Sequence, residues 1–302
     1  MPPLPPRRLL QPLRHIVHVQ QSGLLLVILA LGALLAFFAG SHTDRATGEA
    51  VNNFLNSYTL MQVATDASFF AIMAVGATMV IISGGIDLSV GSVYALAGVL
   101  TAMALRHLTH LAPAAQVGCA MGLCLGLGLA CGLANGLMIV GLRVHPFIIT
   151  LGMMWVFRGI AFVASKAQSI LLPRPVTEAV KSTLGFGESL YPVPLIVMLA
   201  ITAAGAIYLT RTVMGRHLYA VGGNAEAARY AGLRLGPILV GVYAISGLTA
   251  GIAAFLGSGF YGSASCADAT GYELYSSRRR SWGARRSRGG AAAPSTPCSA
   301  RS

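Results

Sequence analysis

The sequence predicts an all-α, polytopic helical membrane protein with about seven spans. Three observations predict it. Of 302 residues, 55% are hydrophobic and only 10% are charged, at a mean hydropathy of +0.69. Soluble domains carry about 25% charged residues, and a water-soluble globule this apolar would expose far too much apolar surface. The apolar residues also gather into seven runs, each near the roughly 20 residues that cross a hydrocarbon core. Finally, the basic residues concentrate on alternate connections, as the positive-inside rule requires. An ordinary cytosolic enzyme, a disordered chain and a nucleic-acid-binding domain are excluded as the whole answer. The partner these features imply is a lipid bilayer, not a nucleic acid.

Residues 1–21 form a basic, Pro-rich N-terminus carrying Arg7, Arg8 and Arg14. The first apolar run, 22–40, has 19 residues. A signal-peptide core is shorter, about 7–15 residues, so this run reads as an uncleaved span. Further spans are predicted at 61–83, 88–105, 115–141, 146–164, 193–210 and 237–257. Polar connections fall at 41–60, 106–114, 165–192 and 211–236. Three Arg before the first span place the N-terminus in the cytoplasm. Six crossings bring the chain back there at 211–236, where Arg211, Arg216, Arg229 and Arg234 face one acid, Glu226. The short connection at Arg143 falls on the same side. The loop 165–192 falls outside, and its charges nearly balance.

The formal net charge of +12 is misleading. Seven Arg lie after Tyr275, at 278, 279, 280, 285, 286, 288 and 301, with no acid among them. Without that tail the balance is ordinary for a membrane protein. The cysteines carry no metal-ligand spacing; Cys119, Cys124 and Cys131 lie in an apolar run, where Cys acts as a small hydrophobe.

Three motifs carry information. In the first, Gly84 and Gly85 break a helix, and Asp87 and Ser89 precede a new one, with Gly91 in its first turn. Asp and Ser accept the free N–H groups of a helix start, where an anion also suits the dipole. The simpler reading is a capped hinge at the membrane surface; the sharper one is a substrate or ion site on a broken helix. In the second, Asn135 lies within a span and either glues helices together or lines a polar pathway. Pro146 suits the first turn of a helix. His145 reads as interfacial, and Arg158, inside a span, must pair, snorkel or face water. In the third, Asn224 can cap a two-turn helix that Gly232 ends. That helix, with Glu226, Ala227 and Arg229, is either a solvated interfacial element or a docking helix for a cytoplasmic partner. There is no Walker A loop, HExxH, nucleophile elbow or CxxC. No cofactor is implied, and the energy source belongs to another subunit or an ion gradient.

Four blocks, GGIDLSVGS, NGLMIVGLRVHPFIITLGMMWVFRGIA, MGRHLYAVGGNAEAARYAGLR and ADATGYEL, stand in the order found in one family. Together they resemble the membrane subunits of bacterial ABC importers for monosaccharides, the ribose/xylose/arabinose/galactoside permeases. The resemblance covers roughly residues 61–275. It implies about ten spans and two permease copies or paralogous subunits in the inner membrane. It also implies cytoplasmic ABC ATPase subunits and a periplasmic sugar-binding protein. Residues 224–229 then become the coupling helix, and a permease subunit is not itself an enzyme. Neutral sugars call for amides, hydroxyls and aromatics, so Asn135, Thr150 and Trp155 are candidate pathway residues. A branched-chain amino acid permease, an ion-coupled secondary transporter and a non-functional pseudogene product are the alternatives.

The likeness stops at Tyr275. Family members continue with a stretch like VIAAAVVGGASLAGG, where this chain has SSRRRSWGARRSRGG. Codons for the first string, read with one base lost, give the second in full. The expected organisation is therefore a basic cytoplasmic N-terminus (1–21), a permease domain (22–275) containing the coupling loop 211–236, and an out-of-frame, disordered tail (276–302) that leaves the permease truncated.

Overall fold

The computed structural model describes residues 11–43, 50–183 and 191–271. The tail at 276–302 and the first residues of the N-terminus lie outside the described residues. The chain divides into two units, one ending at Ala64 and one beginning at Thr65.

The first unit holds helix α1 (Gln11–Phe38), a small hairpin of β1 (Ser41–Thr43) and β2 (Ala50–Asn52), and the first turns of α2 (Ser57–Ile82). The hairpin falls in a stretch that the sequence reads only as a polar connection. Asparagines organise it. Asn52 donates from Nδ2 to the Ala36 carbonyl at 2.8 Å, and Asn53 to that of Ala39 at 2.7 Å. Asn56 then caps α2 by accepting the Thr59 N–H at 2.7 Å.

The second unit contains the rest of α2, then α3 (Val90–Arg106), α4 (Pro113–Leu142) and α5 (Pro146–Ser165). The strand β3 (Ile170–Leu171) and α6 (Arg174–Val180) follow, then α7 (Val193–Arg211), α8 (Val213–Gly223), α9 (Ala225–Tyr230), α10 (Leu235–Tyr261) and β4 (Ser263–Ala264). From 61 onward the predicted spans and the observed helices agree to within a few residues; the first differs, because α1 begins at Gln11, eleven residues before the predicted span 22–40. Five of the helices, α2, α4, α5, α7 and α10, are long and apolar enough to cross a membrane. The protein is a multi-pass helical membrane protein.

Helix α3 differs from these. It has 17 residues, which at about 1.5 Å each is short of a bilayer core. It is also the most enclosed, with thirteen residues buried around its whole circumference. A helix that is apolar on every side belongs at the centre of a bundle. By contrast α5 and α7 turn apolar side chains such as Val163 and Leu199 outward. In water that surface would drive aggregation; in lipid it is the native environment.

Successive connections gather at two opposite ends. At one end the α2 terminus, the α4–α5 corner and the α7–α10 connection meet: a Cβ added at Gly222 would run into the Ile82 carbonyl, and one at Gly236 would touch Val140. At the other, β3 and β4 pair antiparallel, Ile170 opposite Ala264, and tie the segment after α5 to the end of α10. This is the alternation that the charge pattern demands.

The closest helix pair is α4 with α10. Gly128, Gly132 and Gly136 on α4 face Gly247, Gly251 and Val240 on α10, backbone to backbone. A Cβ at Gly132 would strike the Tyr243 carbonyl, and one at Gly247 the Gly128 carbonyl. Small residues at spacing four let helices approach to this distance in lipid, where hydrophobic association is absent. A second set on α4, Gly118, Gly122 and Gly126, has open space around it.

Substituting valine at the two glycine sets separates packing from propensity. We expect Gly132→Val to destabilise the detergent-solubilised protein by about 1–3 kcal/mol or more through overpacking. Gly122→Val should melt within a few degrees of the wild type. Thermal melts of both variants check this.

Candidate functional site

The first candidate site is the break between α2 and α3. Helix α2 ends in a Schellman motif: Gly85 donates its N–H to the Val80 carbonyl at 3.0 Å, and Gly84 to that of Ile81 at 3.1 Å. Gly84 sits at φ +91, a left-handed conformation that glycine adopts without strain. At Gly85 the limit is space, because a Cβ would meet the Tyr243 hydroxyl and the Val80 side chain.

Beyond the turn the chain does not run along a membrane surface. Asp87 is only 6% exposed. Its Oδ1 accepts the Ser89 N–H at 2.9 Å and the Ser89 hydroxyl at 2.7 Å; its Oδ2 accepts the Ser246 hydroxyl at 2.8 Å. Ser89 in turn accepts a hydrogen bond from Asn135 Nδ2 at 2.6 Å. One residue back, the Ile86 carbonyl receives the Thr150 hydroxyl at 3.2 Å and the Tyr243 hydroxyl at 3.3 Å. The node therefore joins α3, α4, α5 and α10. A buried carboxylate is tolerable only when donors satisfy it, and here three do so beside the positive end of α3. The sequence reading of Asp87 and Ser89 as a surface cap thus differs from the structure in two ways. The carboxylate is enclosed by helices and does not lie at a surface, and the N-cap residue, Ser89, makes no side-chain cap bond of its own.

Of the residues singled out from sequence, Gly84, Gly85, Asp87, Ser89, Asn135 and Thr150 meet at this node, and Gly91 lies buried in the first turn of α3. Trp155 does not join them; it is 68% exposed on α5. Sequence reasoning missed Ser246 and Tyr243. Their signal was three polar residues, Tyr243, Ser246 and Thr249, recurring every third position along an apolar span. Among the described residues three buried polar atoms lack a hydrogen-bond partner: Ser92 Oγ near the start of α3, and Asn135 Oδ1 and Gln116 Oε1 on α4.

Arg158 is paired. Its Nη1 donates to the Cys266 and Asp268 carbonyls, both at 2.7 Å, and so pins the loop after α10 to α5. In that loop Asp268 Oδ2 accepts the Ser265 N–H at 2.8 Å. Burial raises the Asp268 carboxyl above the usual carboxylate range, against the opposing pull of that N–H and of the Arg158 charge. Among the described residues no three His, Cys, Asp or Glu side chains group as metal ligands would.

The second candidate site is the α8–α9 loop. The Thr212 hydroxyl caps α8 by accepting the Gly215 N–H at 3.0 Å. Asn224 ends α8 and caps α9, its Oδ1 accepting the Ala227 N–H at 2.9 Å. Gly232, at φ +87, lies just beyond. Glu226 in the first turn and Arg229 in the last both complement the helix dipole. In α9 only Ala228 is buried. Asn224, Glu226, Ala227 and Arg229 are exposed, and Tyr230 is 88% exposed. The loop exposes a short, charged and aromatic surface. Helix α8 itself was not legible in the sequence, which predicts only the helix after Asn224.

A family model described as branched-chain amino acid transport system / permease component matches residues 59–275. The chain is 35% identical over 227 residues to the ribose import permease protein RbsC of Escherichia coli K12, covering 74% of this chain and 68% of that protein. It is 30% identical over 266 residues to the fructose import permease protein FrcC of Rhizobium meliloti, covering 86% and 69%. With the D-allose transport system permease protein AlsC of Escherichia coli K12 it shares 32% over 229 residues, 74% and 66% of the two chains. No solved structure matches.

The node generates a graded expectation. Asp87→Leu strands two hydroxyls and an N–H in the bundle, at about 1–3 kcal/mol for each buried group left unpaired. Asp87→Asn keeps an acceptor for Ser89 and loses less. Melting temperatures of the solubilised variants should fall in the order wild type, Asn, Leu. Equal losses would show that the charge, and not the hydrogen bonds, is what matters.

Proposed function

Because the chain belongs to the branched-chain amino acid transport system / permease component family, we propose that it is the membrane-spanning permease subunit of an ATP-binding-cassette importer that carries a monosaccharide across the bacterial inner membrane. The observation that carries the reading is the likeness to permeases whose names assign them ribose, fructose and allose import. In this reading the subunit is not itself an enzyme. ATP hydrolysis belongs to cytoplasmic ATPase subunits, and a periplasmic sugar-binding protein delivers the cargo. A second permease, identical or paralogous, completes the pathway. The N-terminus and the α8–α9 loop face the cytoplasm, as the positive-inside rule requires.

The residues take roles within alternating access. Helix α9, with Asn224, Glu226, Ala227 and Arg229, is the coupling helix that seats against an ATPase subunit; its exposed charges and the outstanding Tyr230 ring suit a protein groove. Gly84, Gly85, Asp87, Ser89 and Gly91 form the broken-helix motif around which spans rearrange. Asn135 and Thr150 offer an amide and a hydroxyl of the kind that a neutral, polyhydroxylated cargo needs. Trp155, on the outward face of α5, is the remaining pathway candidate. A branched-chain amino acid is the second cargo, favoured by the family description. A zwitterion needs a cationic partner for its carboxylate, whereas the groups gathered at the node are hydroxyls, amides and one carboxylate.

Residues 276–302 are in this reading out of frame. The family match ends at residue 275, where the acid-free basic stretch begins. Resequencing the DNA at codon 276 tests this: a lost base supports it, and an intact frame contradicts it.

Function is tested by co-expressing the chain with its neighbouring ATPase and binding-protein genes. Uptake of labelled ribose, fructose or allose is expected, and uptake of leucine alone would overturn the sugar reading. Glu226→Ala with Arg229→Ala should leave the amount of chain in the membrane unchanged. Co-purification of the ATPase should fall at least about tenfold, the effect of losing roughly 1.4 kcal/mol or more at an interface. Wild-type co-purification would contradict the assignment of α9.

A further inference from the structure

We infer that Gly222, at the end of α8, is the positioning residue through which movement of the α8–α9 loop reaches the Asp87 node. The inference rests on the reading of that loop as the element that docks the ATPase.

The contact that carries it is backbone against backbone. A Cβ at Gly222 would overlap the Ile82 carbonyl oxygen and crowd its carbon. Gly223, the next residue, has nothing within 4 Å of such a Cβ. Around the contact, Leu218 and Val221 of α8 are buried in one cluster with Met79 and Val80 of α2 and with Val242 and Tyr243 of α10. Side-chain packing of this density does not compress. A shift of α8 must therefore carry the end of α2 with it or open the interface.

From Ile82 the route is short and has little slack. Ser83 closes on the last turn of α2 through two bonds, N–H to the Met79 carbonyl at 3.0 Å and hydroxyl to the Val80 carbonyl at 2.7 Å. Gly84 and Gly85 complete the Schellman turn, and Gly85 is wedged between Val80 and the Tyr243 hydroxyl. The next residue offers the Ile86 carbonyl to Thr150 and Tyr243, and the next is Asp87. At the far end Asp87 is held by the Ser246 hydroxyl of α10, and Ser89 by the Asn135 amide of α4, through one hydrogen bond each. A rigid strut thus ends in bonds that can exchange partners, and those are the two parts a two-state device needs. Glycine at 222 permits the contact, and no other residue fits there without displacing Ile82.

Hydrogen–deuterium exchange on the full, solubilised chain tests this in both directions. In Gly222→Ala, the amides of 83–89 should exchange at least about tenfold faster than in the wild type. Gly223→Ala should leave them unchanged. Coupling is reciprocal, so Asp87→Asn must speed exchange at 221–224, on the far side of the Gly222 contact. Wild-type exchange at 83–89 in Gly222→Ala, or the same effect from Gly223→Ala, overturns the inference. If Gly222→Ala is too damaged to purify, the Asp87→Asn arm decides alone, and unchanged exchange at 221–224 overturns the inference. In the assembled transporter Gly222→Ala should still bind the ATPase and hydrolyse ATP, with sugar moved per ATP reduced at least tenfold; a wild-type ratio overturns it. The docking reading fails separately, by ATPase retention in the Glu226 and Arg229 double variant.

Discussion

A carboxylate enclosed in a membrane protein dictates what surrounds it. Asp87 is held by the Ser89 amide, the Ser89 hydroxyl and the Ser246 hydroxyl, and through Ser89 and its neighbour Ile86 it draws in Asn135, Thr150 and Tyr243. Unsatisfied, that charge would cost several kcal/mol. The need to satisfy it fixes the register of α3 against α4, α5 and α10. It also explains why α3 is short: its first residue lies inside the bundle, reached by an irregular segment that is tolerated at depth because protein surrounds it.

The glycines make that depth accessible. Gly84 and Gly85 turn the chain back from the end of α2, and the glycine faces of α4 and α10 bring those helices close enough for Asn135 and Ser246 to reach one motif. The polar node and the small-residue seam are therefore one construction. Lipid supplies no hydrophobic force between helices, so close packing and buried hydrogen bonds must do that work. The outward faces of α5 and α7 are left to ordinary apolar side chains, which need only match the hydrocarbon.

Much of this was legible in the sequence. Span positions were, because crossing a bilayer imposes a length and a composition on every helix. Helix α9 was, because Asn224 and Gly232 mark its ends by local chemistry alone. The burial of Asp87 was not: an Asp three residues ahead of a helix reads as a surface hinge unless the partner on α10 is known, and Ser246 lies 159 positions away. Helix α8 was obscured by its glycines, two of which, Gly215 and Gly222, prove to be packing contacts. The hairpins, at two or three residues per strand, are too short to leave a pattern. Local signals named the residues; only the fold showed which of them meet.

In the proposed importer, an ATPase acting on the α8–α9 loop opens and closes the node between Asp87 and Ser246. Electron cryo-microscopy of the assembled transporter, with and without bound ATP, tests it most directly. Helix α9 should be seated on the ATPase in both states, with the Asp87–Ser246 contact of 2.8 Å intact in one state and broken in the other. An α9 free of the ATPase, or a contact unchanged between the two states, would contradict it.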